Sequence, residues 1–449
     1  MLHKRELVVL SVLAGTVVIA LILLVIFIGV DSVAEFLMLL RFILMEQIGK
    51  FLLMAAISFY VLRVVWQVHS KALAITFGTI VLGGVLYLWG SETNAPHLAM
   101  PAFMESYHPG HVRPDLPFVN IVKFFAAYKN FEKIADIGAN PNVVPPPLSR
   151  NWSETVKIYL ETKEVISEVA AGVYFNYWTF NAQVPGPMLR VRVGDTVEMT
   201  IKNDPSSLHS HNIDLHAVTG PGGGALLSMV APGETKSFSW KALQPGLYVY
   251  HCAMPNVSTH NSHGQYGLIL VESEEGMAPV DKEFYIMLGE LYTQGSTGKQ
   301  GLAIFDSEAL LDGIPTYITM NGRVEESGKP RMTAKVGDKI RIYVGNGGLN
   351  LISSFHAIGE IFDTVYPEGG IGAPPLKNIQ TTAVLPGGSS IVEFTAEVPG
   401  DIVLVDHALS RMNKGAWAVI HVVGDPQPDI FGPLDPTPAV PDTPRTMGM

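Results

Sequence analysis

The chain has 449 residues and a formal net charge of -11, with 41 acidic side chains against 30 basic ones, which excludes a nucleic-acid or anionic-lipid surface spread over the fold. Only 16% of residues are charged and 48% are hydrophobic, with the apolar excess gathered at the N-terminus. A lone cysteine, Cys252, excludes an internal disulfide framework and leaves a buried bystander, a nucleophile or a metal ligand.

In chain order, residues 7–30 carry no charge and are long enough to cross a bilayer, which takes about 20 apolar residues. Lys4 and Arg5 precede them and predict a cytoplasmic N-terminus. A cleaved leader would have a shorter apolar core and no further apolar sequence behind it, so a retained anchor is expected. Asp31, Glu35, Arg41 and Glu46 stand among leucines and phenylalanines, so 31–48 reads as an amphipathic helix lying at the interface. Two more spans are expected at 49–68 and 72–90, with Arg63, His69 and Lys71 around their short cytoplasmic connection. Three crossings would put everything beyond Ser91 on the far side of the membrane.

Residues 91–150 form a linker rich in histidine, proline and aromatics, with one helix predicted near 118–135 and a stiff Pro145-Pro146-Pro147 spacer. From Trp152 the chain changes to short β-branched runs between Gly and Pro turns, the pattern of an all-β sandwich. An internal repeat divides it. Val193-Gly194-Asp195-Thr196-Val197 recurs as Val336-Gly337-Asp338-Lys339-Ile340, and Ala231-Pro232-Gly233 as Leu385-Pro386-Gly387. Gln244-Pro245-Gly246 recurs as Val398-Pro399-Gly400, and Val249-Tyr250-His251-Cys252 as Val405-Asp406-His407-Ala408. Two Greek-key domains are expected, at 151–275 and 281–424, with a boundary near Gly276–Val280. The Pro-rich 425–449 tail has little apolar periodicity and reads as an extended arm.

The chemistry-bearing residues fall in two places of the first copy and one of the second. Tyr250-His251-Cys252 is followed by His260 and Gln265, and a Cys-x7-His hairpin is how a type 1 copper site is built: thiolate and two imidazoles in a plane with a weak axial ligand. Successive strand side chains face opposite sides, so His251 must point away from Cys252. In Leu208-His209-Ser210-His211-Asn212-Ile213-Asp214-Leu215-His216, the same parity puts His211 on the side of Cys252 and His260, and Asp214 and His216 on the side of His251. The second copy keeps a histidine, His407, but has Ala408 in place of the cysteine. His407 is therefore the natural third imidazole for His216 and His251, giving three neutral ligands and an open position. His209 reads as structural, His263 as exposed, and Met254, two residues past Cys252, as packing.

At these residues the chain resembles the two-domain copper-containing nitrite reductases, over about residues 150–424. The resemblance is carried by His211-Asn-Ile-Asp214-Leu-His216, Ala217 to Gly224, Tyr250-His251-Cys252, Ser354 to Glu360 and Val405-Asp406-His407. It implies an all-β fold of two tandem cupredoxin domains, here preceded by the α-helical transmembrane anchor expected from the N-terminal sequence. It further implies type 1 copper on His211, Cys252 and His260, and type 2 copper on His216, His251 and His407. Asp214 and His356 would form the acid/base pair and Ile358 the apolar roof over the substrate. The family is a homotrimer, in which His407 would serve a neighbouring subunit, with nitrite reduced to nitric oxide and water. Together with the expected spans, it implies a bacterial inner-membrane protein with periplasmic copper domains.

The sequence departs from the family in two ways. Gln265 stands where the family has its axial methionine, so amide-oxygen ligation is expected, with a rearranged or three-coordinate site as the alternative. The anchor is the second departure; it suits either direct reduction by quinol or localisation beside a cytochrome or cupredoxin donor. A laccase-like multicopper oxidase would need an His-Cys-His, and Ala253 follows Cys252 here. A membrane-tethered blue-copper carrier remains the non-enzymatic reading; it expects one copper per chain where the enzyme expects two.

Overall fold

The structure, a computed structural model, describes residues 124, 126–325 and 330–434. The expected spans at 7–30, 49–68 and 72–90, the 31–48 segment and residues 435–449 lie outside these. Among the described residues no helix is long and apolar enough to cross a membrane. The chain divides into two compact units: residues up to Glu132 with Gln300–Ala303, and Lys133–Lys299 with Ile304 onward. In the first unit, the helix predicted over 118–135 stops short. Helical geometry is described only as far as Tyr128, the chain turns where the Asn130 N–H bonds the Ala127 carbonyl, and Phe131 buries its ring. Glu132–Ile134 then form strand β1.

The first copy of the repeat contains β2 (Thr155–Ala170), β3 (Val173–Phe180), β4 (Leu189–Arg192), β5 (Thr196–Asn203), β6 (Asp214–Leu215), β7 (Thr235–Lys241), β8 (Gly246–His251), helix α1 (Val257–Ser262) and β9 (Tyr266–Glu272). One sheet runs β3-β2-β5-β7 and the facing sheet β4-β9-β8-β6. After the second copy's leading strand β10 (Lys282–Leu291) and the two-residue strand β11 (Gly301–Leu302) come β12 (Tyr317–Met320), β13 (Met332–Lys335), β14 (Lys339–Asn346), β15 (Ser353–Ile358), β16 (Phe362–Tyr366), β17 (Leu376–Ile379), β18 (Thr381–Val384), β19 (Ser389–Thr395), β20 (Gly400–Asp406) and β21 (Trp417–Val423). These make sheets β12-β10-β14-β19-β16-β17 and β13-β21-β20-β15-β18.

The repeat is visible bond by bond. β2 runs parallel to β5 as β10 does to β14, and β4 parallel to β9 as β13 does to β21. At the equivalent turns Gly194 N–H bonds the Ala242 carbonyl and Gly337 N–H the Ala396 carbonyl, each at 2.8 Å. Alternation explains the half-buried strands: in β5, Val197, Met199 and Ile201 face the core while Thr196 and Glu198 do not.

β9 is buried along its whole length, as a strand covered on both faces should be. Ile269 and Val271 join the first core, while Tyr266 and Leu268 lie where an added Cβ on Gly347 or Gly345 of the second copy would meet them. Burying one such large apolar side chain is worth about 1.5–3 kcal/mol. The Tyr285 hydroxyl donates to the Gly186 carbonyl and accepts from Leu268 N–H, and Ser389 Oγ donates to the Leu247 carbonyl, so the seam between the copies is also polar. The end of the expected linker is packed into the fold: Ile137 is buried, Ala139 N–H bonds the Val184 carbonyl and Tyr285 N–H the Pro141 carbonyl.

Candidate metal centre

β8 carries the arrangement. Tyr250 sinks into the first core with its hydroxyl on the Pro187 carbonyl, 2.6 Å away. That fixes which face each neighbour takes. β6 pairs antiparallel with β8, placing Asp214 opposite His251 and Leu215 opposite Tyr250, so Asp214 and His251 share a face. His211 lies just before β6, held by two backbone bonds to Val230, and is fully buried where His216 is exposed. The parity read from the sequence is realised.

On the inner side, ring nitrogens of His211 and His260 and the sulfur of Cys252 lie within 4.8 Å of one another. His260 Nδ1 is 3.2 Å from His211 Nδ1, 3.4 Å from Cys252 Sγ and 3.2 Å from Gln265 Oε1. His260 stands on α1, a turn of helix inside the segment expected to be a plain hairpin. Gln265 follows just before β9, fully buried, and its Nε2 has no hydrogen-bond partner among the described residues. Burial holds both imidazoles below their ordinary pKa, with the neighbouring histidines adding to the effect at His260, and pushes the Cys252 thiol up to about 12. Two neutral imidazoles, a thiol and an amide oxygen aimed at one point offer more lone pairs than protons to fill them. The donor set fits a soft cation, which would take Cys252 as thiolate.

On the outer side, His216 Nε2 and His251 Nε2 approach to 3.1 Å with rings nearly perpendicular. His251 Nδ1 donates to the Cys252 carbonyl, which leaves Nε2 as the lone-pair nitrogen facing His216. Partial desolvation of its ring and then His251 hold the pKa of His216 below its usual value. Asp214 is half-buried on this side, where the glycine run passes over it. Gly223 takes φ +54°, and a Cβ there would stand 1.8 Å from Asp214 Oδ1.

The second copy holds the remaining predicted residues together, apart from that pair. His407 and His356 have ring centroids 5.2 Å apart at 72°, and His356 Nδ1 donates to the Gln380 carbonyl. His356 and Ile358 share a face of β15, with Ile358 42% exposed. Buried Asp406 accepts from Ser354 and Ala408 N–H and pairs with Arg411 at 2.6 Å, fixing the turn that presents His407. Among the described residues the only group of three converging donors is His211, Cys252 and His260, so one chain does not bring His407 to His216 and His251.

Some placements were not read from the sequence. His263 was expected to be exposed; it is buried, stacked between Phe175 and Trp178 with its Nδ1 on the Thr259 carbonyl. Asn212 Oδ1 takes both the Cys252 thiol and Ala253 N–H. Glu164 and Trp178, opposite each other across β2 and β3, back the thiolate pocket. Only Asn212, next to His211, had a signal in the sequence. Met254 packs in the first core, as expected.

Tandem cupredoxin sandwiches with one pocket formed by a cysteine and two histidines define a two-domain copper protein. The multicopper oxidase family profile matches residues 162–276. A copper-containing nitrite reductase of Neisseria meningitidis is 51% identical over 290 residues, covering 64% of this chain and 75% of the relative. One from Alcaligenes faecalis is 31% identical over 66% of this chain and 86% of its own length. The solved copper nitrite reductase of Nitrosomonas europaea is 31% identical with a TM-score of 0.54, covering 61% of this chain and 96% of that one. The chain belongs to the copper-containing nitrite reductases.

Proposed function

We propose that this protein reduces nitrite by one electron and two protons to nitric oxide and water, using two coppers per chain: type 1 on His211, Cys252, His260 and Gln265, and type 2 on His216, His251 and His407. The observation that carries the reading is the back-to-back geometry of His251 and Cys252, adjacent residues whose side chains serve opposite faces. Copper, when bound, supplies a one-electron couple at the thiolate pocket and a Lewis-acid anchor for nitrite at the other.

The protein's own groups do the rest. The peptide joining Cys252 to His251 is a short covalent path between the pockets. Asp214, beside His251, hydrogen-bonds the bound anion and passes protons to the oxygen that leaves as water, with His356 as its partner in the relay. Ile358 excludes water above the anion. His356, His407 and Ile358 reach the pair from a neighbouring subunit of a homotrimer. Their clustering beside each other, away from His216 and His251, supports that sharing.

The N-terminal apolar segments expected as spans anchor the enzyme in a bacterial inner membrane, with the N-terminus cytoplasmic, the copper domains periplasmic and the chemistry serving denitrification. Quinol, or a cytochrome or cupredoxin, supplies the electron. Nitrite turnover with a quinol analogue by the full-length protein, lost on deleting residues 1–90, identifies quinol received through the anchor; no turnover of the full-length protein on the analogue excludes quinol and leaves a cytochrome or cupredoxin.

Gln265 sets the character of the thiolate site. An amide oxygen is a harder donor than a thioether and favours the oxidised state, so Gln265→Met is expected to raise the type 1 potential and alter the thiolate absorption. A spectroelectrochemical titration checks this; an unchanged potential and spectrum would rule Gln265 out as a ligand.

A further inference from the structure

Glu164 is a fully buried carboxylate in the middle of β2, with no part in the ligand set described above. Its Oε1 accepts from the backbone N–H groups of Leu208 and His209, each at 2.8 Å, and stands 2.9 Å from His209 Nδ1. An oxygen taking three donors is an anion's oxygen. The same oxygen lies 3.6 Å from His211 Nε2. That nitrogen and Glu164 Oε2 are both buried without a hydrogen-bond partner among the described residues. An imidazole giving Nδ1 to a metal must carry its proton on Nε2, and a small closure of this gap would give that proton a carboxylate acceptor.

We propose that Glu164 is the positioning residue of the thiolate copper site: it orients His211 by accepting from Nε2–H and, through its buried charge, biases the site towards the oxidised state. The inference rests on the assignment of His211, Cys252 and His260 as copper ligands. Cu(II) with one thiolate has a net charge of plus one, which the Glu164 carboxylate cancels. Cu(I) with the thiolate is neutral, and the carboxylate leaves that state with a buried net negative charge, the costlier condition. A purely architectural role, clamping the 208–209 backbone, would need only an acceptor oxygen, and a glutamine provides one.

The test compares copper-loaded wild type with Glu164→Gln and Glu164→Asp, reading the type 1 potential from the thiolate–copper absorption against one-electron mediators. Glu164→Gln keeps an acceptor for the Leu208 and His209 N–H groups but removes the charge. It is expected to shift the site at least about tenfold towards the reduced state, ~59 mV for one electron. A wild-type potential and spectrum in that variant would overturn the proposal. Glu164→Asp keeps the charge on a shorter arm, and carries the test if the glutamine variant does not fold. It is expected to hold the wild-type potential while losing copper to a chelator faster; wild-type retention with a shifted potential overturns the proposal. Wild-type protein without any thiolate–copper absorption would sink the ligand assignment itself, and the role of Glu164 with it.

Discussion

Replacing Cys252 by serine is expected to erase the thiolate–copper absorption and to lower nitrite turnover by more than about a thousandfold, about 4 kcal/mol at 1.36 kcal/mol per decade. One copper per chain should remain bound. A hydroxyl is a poor ligand for either oxidation state at a site built for a thiolate, and without that ligand the electron has no route to His251. The substitution leaves a hydroxyl in a fully buried position, with Asn212 Oδ1, the acceptor of the thiol, as its partner. Cys252→Ala removes that polar group altogether, so both variants belong in the comparison. Metal analysis and turnover on the same preparations check the expectation. Substantial turnover by either variant would mean that electrons reach the catalytic pocket without passing through Cys252.

The second large effect separates a shared site from one completed within a single chain. His216→Ala and His407→Ala are each expected to lose the type 2 copper, keep the thiolate absorption and fall to background turnover. Co-expressed, the two variants should recover activity. In a ring of subunits where His216 and His251 of one chain meet His407 of the next, some junctions combine an intact His216 with an intact His407. Random mixing restores about a quarter of the sites. A site made within one chain would recover none, because every chain carries one lesion. The separation of His407, beside His356, from the His216–His251 pair makes recovery the expected result.

Much of this architecture was legible from residue spacing, for physical reasons that differ from site to site. The side-chain period of two in a strand sends His251 and Cys252 to opposite faces whatever the rest of the chain does. The antiparallel register of Asp214 with His251 then assigns Asp214 and His216 to the outer face. The repeat made His407 conspicuous because it stands at the position of His251. Glu164 was not legible: in the sequence it is one acidic residue in a long alternating strand, and its burial follows from the 208–211 segment folding over it. His263 was misread for a related reason. The Phe175 and Trp178 rings, distant in sequence, enclose it at the end of helix α1. The helix predicted over 118–135 failed at its C-terminal end, where burial of Phe131 and the β1 geometry override a helical pattern.

The central claim, two coppers of different character in one chain joined through Cys252 and His251, is tested most directly by counting copper in the purified full-length protein with electron paramagnetic resonance to resolve the kinds. Two coppers per chain are expected, in equal amounts, one with the narrow hyperfine splitting of a thiolate site and one with the wide splitting of an imidazole site. A single copper per chain, all of the thiolate kind, would contradict the account and leave His216, His251 and His407 without a metal to hold.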